Sequence, residues 1–87
     1  MDFWVRDREI AGSENLEYYV RKLRDLREDA DLTQTQVANI LGTSQTMYAR
    51  YERGANEFPI RHLIKLCRYY GVSADYILGL EIPPKQL

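Results

Sequence analysis

Leu32-Thr33-Gln34-Thr35-Gln36-Val37-Ala38-Asn39-Ile40-Leu41-Gly42-Thr43-Ser44-Gln45 decides how this chain folds. Its opening residues form a complete helix-start signal: Thr33 can accept from the amide of Gln36, Gln36 can reach back to Thr33, and Leu32 can staple onto Val37. The helix so begun puts Val37, Ala38 and Leu41 on its apolar side. It stops after about two turns at Gly42, which suits the left-handed conformation that ends helices. Thr43-Ser44 then offers another N-cap, and Gln45 to Arg53 reads as a further helix up to Gly54. Two short helices joined by a tight glycine turn are a helix-turn-helix.

Upstream, Leu16, Tyr19, Val20, Leu23, Leu26 and Ala30 recur at spacings of three, one, three, three and four, one stripe of an amphipathic helix that Ser13 would cap. The mixed charges between them keep that helix soluble. Downstream, Ala55-Asn56-Glu57-Phe58-Pro59 reads as a loop, with Pro59 at the first position of a fourth helix. The expected buried face of that helix is Ile60, Leu63, Ile64, Cys67 and Tyr70, and it ends at Gly71. Ser73 caps a fifth, Ala74 to about Leu78, with Val72 and Ile77 as its staple. The reading is all-α, five helices and no strand. It divides the chain into an N-terminal arm (1–12), a helix-turn-helix domain (13–80) and a C-terminal tail (81–87).

Composition narrows what such a domain can do. At 87 residues there is room for one small core, burying roughly 60–65% of the surface the unfolded chain exposes. One cysteine, Cys67, excludes an internal disulfide, and with one histidine, His62, no Cys/His metal cluster can be assembled. No catalytic set or Gly-rich phosphate loop appears, so an enzyme is not expected and a binding module is. No apolar run reaches the 18 or so residues that cross a bilayer, and the first residues break into charge too early for a signal peptide, which gives an expected cytoplasmic protein. Net charge is −1, but Arg61, Lys65 and Arg68 fall in residues 61–70 with no acid among them, so any polyanion site must be local.

Leu32-Thr33-Gln34, Val37-Ala38, Leu41-Gly42-Thr43-Ser44-Gln45, Arg50-Tyr51-Glu52-Arg53-Gly54, Gly71-Val72-Ser73 and Tyr76-Ile77-Leu78-Gly79, in that order, resemble the phage-repressor and Cro type of helix-turn-helix, the XRE family. The resemblance spans about Leu16 to Leu80 and implies a lambda-repressor-like DNA-binding domain. Two features depart from it: Asp31 stands where such proteins usually carry glycine, and the pattern does not cover the residues before Ser13.

On the third helix Tyr48 and Tyr51 should be buried, with Ala38 small enough to let the second helix approach. The other face carries Gln45, Thr46, Ala49, Arg50 and Arg53. Arg pairs with guanine, Gln with adenine, and a Thr or Ala methyl packs on the thymine methyl, so Gln45, Thr46, Ala49 and Arg50 are the expected base readers. The plain alternative is a solvated polar face. Gln34, beside the amides and positive dipole end of the second helix, is an expected phosphate ligand, with Arg53 and Arg61. Thr33 and Thr43 are expected as caps first and phosphate ligands second. The resemblance further implies an ion pair between Arg27 and Glu52 that fixes how the third helix is presented. His62 reads as a surface residue and Cys67 as a small core residue. Phe3, Trp4, Val5 and Ile10 are expected to fold back on the domain, the alternative being a subunit or protein contact.

The resulting expectation is a sequence-specific, double-stranded-DNA-binding transcriptional regulator. It acts most simply as a repressor, as a homodimer on a palindromic operator, nucleoid-associated when bound, with no cofactor, metal or membrane implied. Tyr76, Ile77, Leu80 and Ile82 are the expected dimer surface. The rival reading is a protein-interaction module of antitoxin or anti-repressor type, with secondary DNA binding and an N-terminal arm that engages a protein partner.

Overall fold

The structure, a computed structural model, describes residues 18–80; Ser13, Leu16, the aromatic arm and Ile82 lie outside the described residues. Among the described residues are five helices and no strand: α1 (residues 18–29), α2 (Gln34–Leu41), α3 (Gln45–Glu52), α4 (Ile60–Tyr70) and α5 (Ala74–Leu78). Each contributes to one core, with Leu23 from α1, Val37, Ala38 and Leu41 from α2, Tyr48 and Tyr51 from α3, Leu66 from α4 and Ile77 from α5.

The start of α2 is built as its sequence dictates. Thr33 Oγ1 accepts from the Gln36 amide at 3.1 Å, and Gln36 Oε1 accepts from the Thr33 amide at 2.8 Å. Its end reverses at Gly42, with φ at +74°, where the Thr43 amide donates to the Ala38 carbonyl at 2.9 Å. Asp31 takes the same left-handed conformation after α1, with φ at +58°. The Leu32 amide then bonds back to the Arg27 carbonyl, so the missing glycine changes the residue and not the turn.

Several expectations are corrected. Ala30 is exposed in the turn after α1, because the helix ends before the stripe reaches it. Thr43 does not cap α3: Ser44 has the extended backbone of an N-cap and accepts from the Met47 amide, while Thr43 closes α2. Pro59 precedes α4 as its N-cap, with ψ at 144°, and is not its first helical residue.

The largest correction concerns the face of α4. It buries His62 and Leu66, with Leu63, Cys67 and Tyr70 packed beside them, and leaves Ile60 and Ile64 exposed. His62 is therefore not a surface residue. Its ring packs against Tyr51 and Phe58, with centroids 5.8 and 5.9 Å away, and this aromatic cluster turns the helix toward the imidazole. Burial, with Arg61 and Lys65 nearby, pushes the His62 pKa down. Cys67 packs against the core as expected, and burial pushes its thiol pKa up.

The two ends of the described chain meet. Lys22 Nζ lies over the Tyr18 ring of α1 and the Tyr76 ring of α5, 5.1 and 4.6 Å from their centroids. Gly79, with φ at +71°, lies so close to Tyr18 that a Cβ there would stand 2.9 Å from the ring. Ile77 is fully buried in the domain's own core, so it offers no surface to a second subunit.

Candidate nucleic-acid interface

The surface of α3 is presented by a buried ion pair beneath it. Arg27 Nε donates to Glu52 Oε2 at 2.6 Å and Arg27 Nη2 donates to Glu52 Oε1 at 3.2 Å, while Nη1 donates to the Leu32 carbonyl at 2.9 Å. Thus one guanidinium ties α1, the turn before α2, and α3. Glu52 is only 1% exposed. Burial opposes its charge, but hydrogen bonding from Arg27, with Gln34 and the Arg27 charge adding, holds the carboxyl below the usual glutamate range. The Tyr48 and Tyr70 hydroxyls are buried with no well-formed hydrogen bond among the described residues. Burial pushes the Tyr70 phenol up to about 12 and Tyr48 higher still, so both remain protonated.

Outward from that pair, polar side chains follow in series. Gln34 Nε2 donates to Glu52 Oε1 at 3.2 Å, and Gln45 Nε2 donates to Gln34 Oε1 at 2.7 Å. Gln34 is half-buried at the first residue of α2, and Gln45 is exposed at the first residue of α3. The helix-turn-helix thus brings together two glutamines eleven positions apart. Thr46, Arg50 and Arg53 are also exposed and Ala49 is half-buried, while Tyr48, Tyr51 and Glu52 point inward.

Arg50 is held at one edge. Its Nε donates to Asn56 Oδ1 at 2.6 Å, leaving the Nη1 and Nη2 edge available. Asn56 was not among the residues expected at this site. The signal for it is Gly54, whose φ of +75° reverses the chain so that the Ala55 and Asn56 amides both donate to the Arg50 carbonyl. A glycine just past a helix brings the next two residues back over the last turn. Thr33 stands exposed at the start of α2, Thr43 is half-buried in the turn, and Arg61 stands apart from these bonds, exposed at the second residue of α4.

Such an arrangement offers donors and acceptors in fixed directions on a convex helical surface. No acid faces outward from α3, because its one carboxylate, Glu52, is turned inside and neutralised.

Known proteins are similar to this chain in sequence and in fold. A helix-turn-helix family model matches residues 23–77. The uncharacterized HTH-type transcriptional regulator YobD of Bacillus subtilis is 41% identical over 66 residues, 76% of this chain and 59% of that protein. The transcriptional repressor RstR of the cryptic phage CTXphi, from Vibrio cholerae, is 41% identical over 51 residues, 59% of this chain and 46% of its own length. The chain therefore spans about half the length of the curated relatives it matches. The crystal structure of a transcriptional regulator from Listeria innocua superposes with a TM-score of 0.70 at 26% identity, covering 75% of this chain and 61% of that one.

Proposed function

This chain belongs to the helix-turn-helix family, and from that premise we propose that it is a sequence-specific double-stranded-DNA-binding regulator of transcription whose reading element is α3. The observation that carries the proposal is the exposed series Gln45, Thr46 and Arg50 on one short helix, flanked by Gln34 at its start and Arg53 at its end. Gln45 reads adenine and the Nη edge of Arg50 reads guanine, while the methyls of Thr46 and Ala49 meet thymine. Thr33, Gln34, Thr43, Arg53 and Arg61 grip phosphates, aided at Thr33 and Gln34 by the dipole of α2.

Repression is the regulatory sense we favour, supported by the likeness to a phage repressor. We further propose a homodimer on a palindromic operator. Ile60 is 73% exposed and Leu80 48%, apolar surface that a second subunit would cover. Ile77 has no part in that surface. The half-sites then lie about one helical turn, roughly 10 bp, apart.

Selection of binding sites from random duplex DNA, followed by footprinting, tests both steps. A recovered palindrome is the expected result. If no sequence is enriched, α3 is not a reading element; if one half-site is protected regardless of a second, the dimer is wrong.

A further inference from the structure

We propose that Glu52 is a positioning residue for sequence readout: acting through Gln34, it fixes which end of the Gln45 amide is offered to DNA, and so sets a preference for adenine at the base pair Gln45 meets. This rests on the reading of α3 given above and adds a residue that touches no base.

A glutamine amide at a helix surface has two ends of nearly equal size and opposite hydrogen-bonding sense. Turned over, it exchanges donor for acceptor, and its preference among bases is lost. Something must hold it one way round. An ionised carboxylate only accepts hydrogen bonds, and Glu52 itself cannot turn. Its Oε2 is held by Arg27 Nε at 2.6 Å and its Oε1 by Arg27 Nη2 at 3.2 Å, and the glutamate itself is fully buried. The group that Gln34 turns toward Glu52 is therefore its NH2, in contact at 3.2 Å.

The planar amide of Gln34 then faces its carbonyl the other way, and a carbonyl also only accepts. Gln45 must turn its own NH2 toward that oxygen, and does so at 2.7 Å. What Gln45 has left is its carbonyl oxygen and its second N–H, side by side. That pair complements the major-groove edge of adenine, which presents the N6 donor beside the N7 acceptor. Order runs outward from a fully buried charge to a half-buried amide and on to an exposed one, so a residue in the core selects a hydrogen-bonding pattern at the surface.

The test uses the full 87-residue chain, duplexes carrying each of the four base pairs at every position of the selected site, and side-chain amide NMR of the DNA-free protein. Gln45→Ala identifies the base pair concerned by lowering its adenine preference about tenfold. Gln34→Met keeps the length of the side chain and adds no buried charge. It is expected to lower the preference at that same base pair several-fold, and to move the Gln45 amide resonances to solvent-like positions. Glu52→Gln is expected to do the same and to move the Gln34 amide as well, measured at a temperature where circular dichroism shows it folded. If it does not fold, Gln34→Met decides the step to Gln45, and the Gln34 amide of the DNA-free wild type decides the step from Glu52: resonances displaced from solvent-like positions are expected, and solvent-like ones overturn it. An unmoved Gln45 amide and an intact adenine preference in Gln34→Met overturn the relay while leaving α3 as the reading element. If Gln45→Ala alters no base preference, both the relay and the base-reading role of Gln45 fail.

Discussion

Arg50 and Arg27 carry the same guanidinium into opposite surroundings. Arg50 is exposed on α3 with one edge held by Asn56, whereas Arg27 lies beneath α3 with its hydrogen bonds directed to Glu52 and the Leu32 carbonyl. Their alanine variants should fail in different ways. Arg50→Ala should cost about 1–3 kcal/mol of binding and flatten preference at one base pair per half-site, with the melting temperature nearly unchanged. Arg27→Ala leaves a buried carboxylate without its cation, so it should cost about 3–5 kcal/mol of stability and weaken all sequences alike. Thermal melts and a panel of single-base operator variants separate the two. Equal weakening of every variant by Arg50→Ala would make Arg50 a phosphate ligand. Asn56→Ala should reproduce part of the Arg50→Ala flattening, since it frees the Nε edge.

At the scale of the elements, α2 and α3 are in contact, and Ala38, 1% exposed, is the smallest residue on the buried side of α2. Ala38→Leu would overpack that contact, costing about 1–3 kcal/mol and displacing α3 from Gln34. Melting and loss of the Gln34–Gln45 amide signature by NMR should appear together, and a stable variant with that signature intact would contradict the close packing described here. This pair of helices was legible in the sequence because every boundary had a local cause: the Thr33–Gln36 capping box, Gly42, Ser44 and Gly54. The face of α4 was legible only in part: Leu63, Cys67 and Tyr70 pack on the core as their spacing suggests, but the stripe is rotated so that His62 and Leu66 lie at its centre. Ile60 and Ile64 match a helical apolar stripe as well as Leu66 does, and histidine is polar by type, so periodicity alone places the edge of the stripe wrongly. What decides is the Tyr51 and Phe58 rings, which come from α3 and the following loop, and such non-local contacts leave no mark in a window of one helix. The same limit applies to the interface. The residue types on α3 were readable, but the links Gln34–Glu52 and Gln34–Gln45 join residues eighteen and eleven positions apart.

For the molecule as a whole, two buried groups among the described residues, His62 and Glu52, respond to acid. His62 has its pKa pushed down by burial and by Arg61 and Lys65, so the unfolded chain binds protons more readily as pH falls below the ordinary histidine value of about 6.5. The stability present above that pH should decline on acidification until the folded-state histidine also titrates. Glu52, held low against the cost of its burial chiefly by Arg27, acts in the same direction at lower pH. Its contribution is present above the ordinary glutamate value of about 4.3 and is lost as pH falls through its folded value. Melting temperature should therefore fall in two stages, and His62→Phe should remove the first. A wild-type profile flat between pH 7 and 5 would contradict this. Salt acts on a different term. Residues 18–80 carry nine basic and seven acidic side chains, while the flanks carry three and six, so only a few local ligands can displace counterions. The salt slope of DNA binding should be modest and non-specific binding weak; a nanomolar non-specific Kd at physiological salt would contradict it.

The closure of Tyr18 over Gly79 has a topological consequence. Since residues 18 and 79 touch, the two ends of the described helical unit lie side by side, and that unit can be spliced into a host chain like a cassette between two adjacent points. A circular permutant that joins residue 80 to residue 18 through a short flexible linker, and opens the chain in the exposed loop at residue 55, should keep the all-helical circular dichroism spectrum of the parent. An unfolded permutant would mean that the order in which the helices are made, and not only where they come to rest, is part of what this sequence encodes.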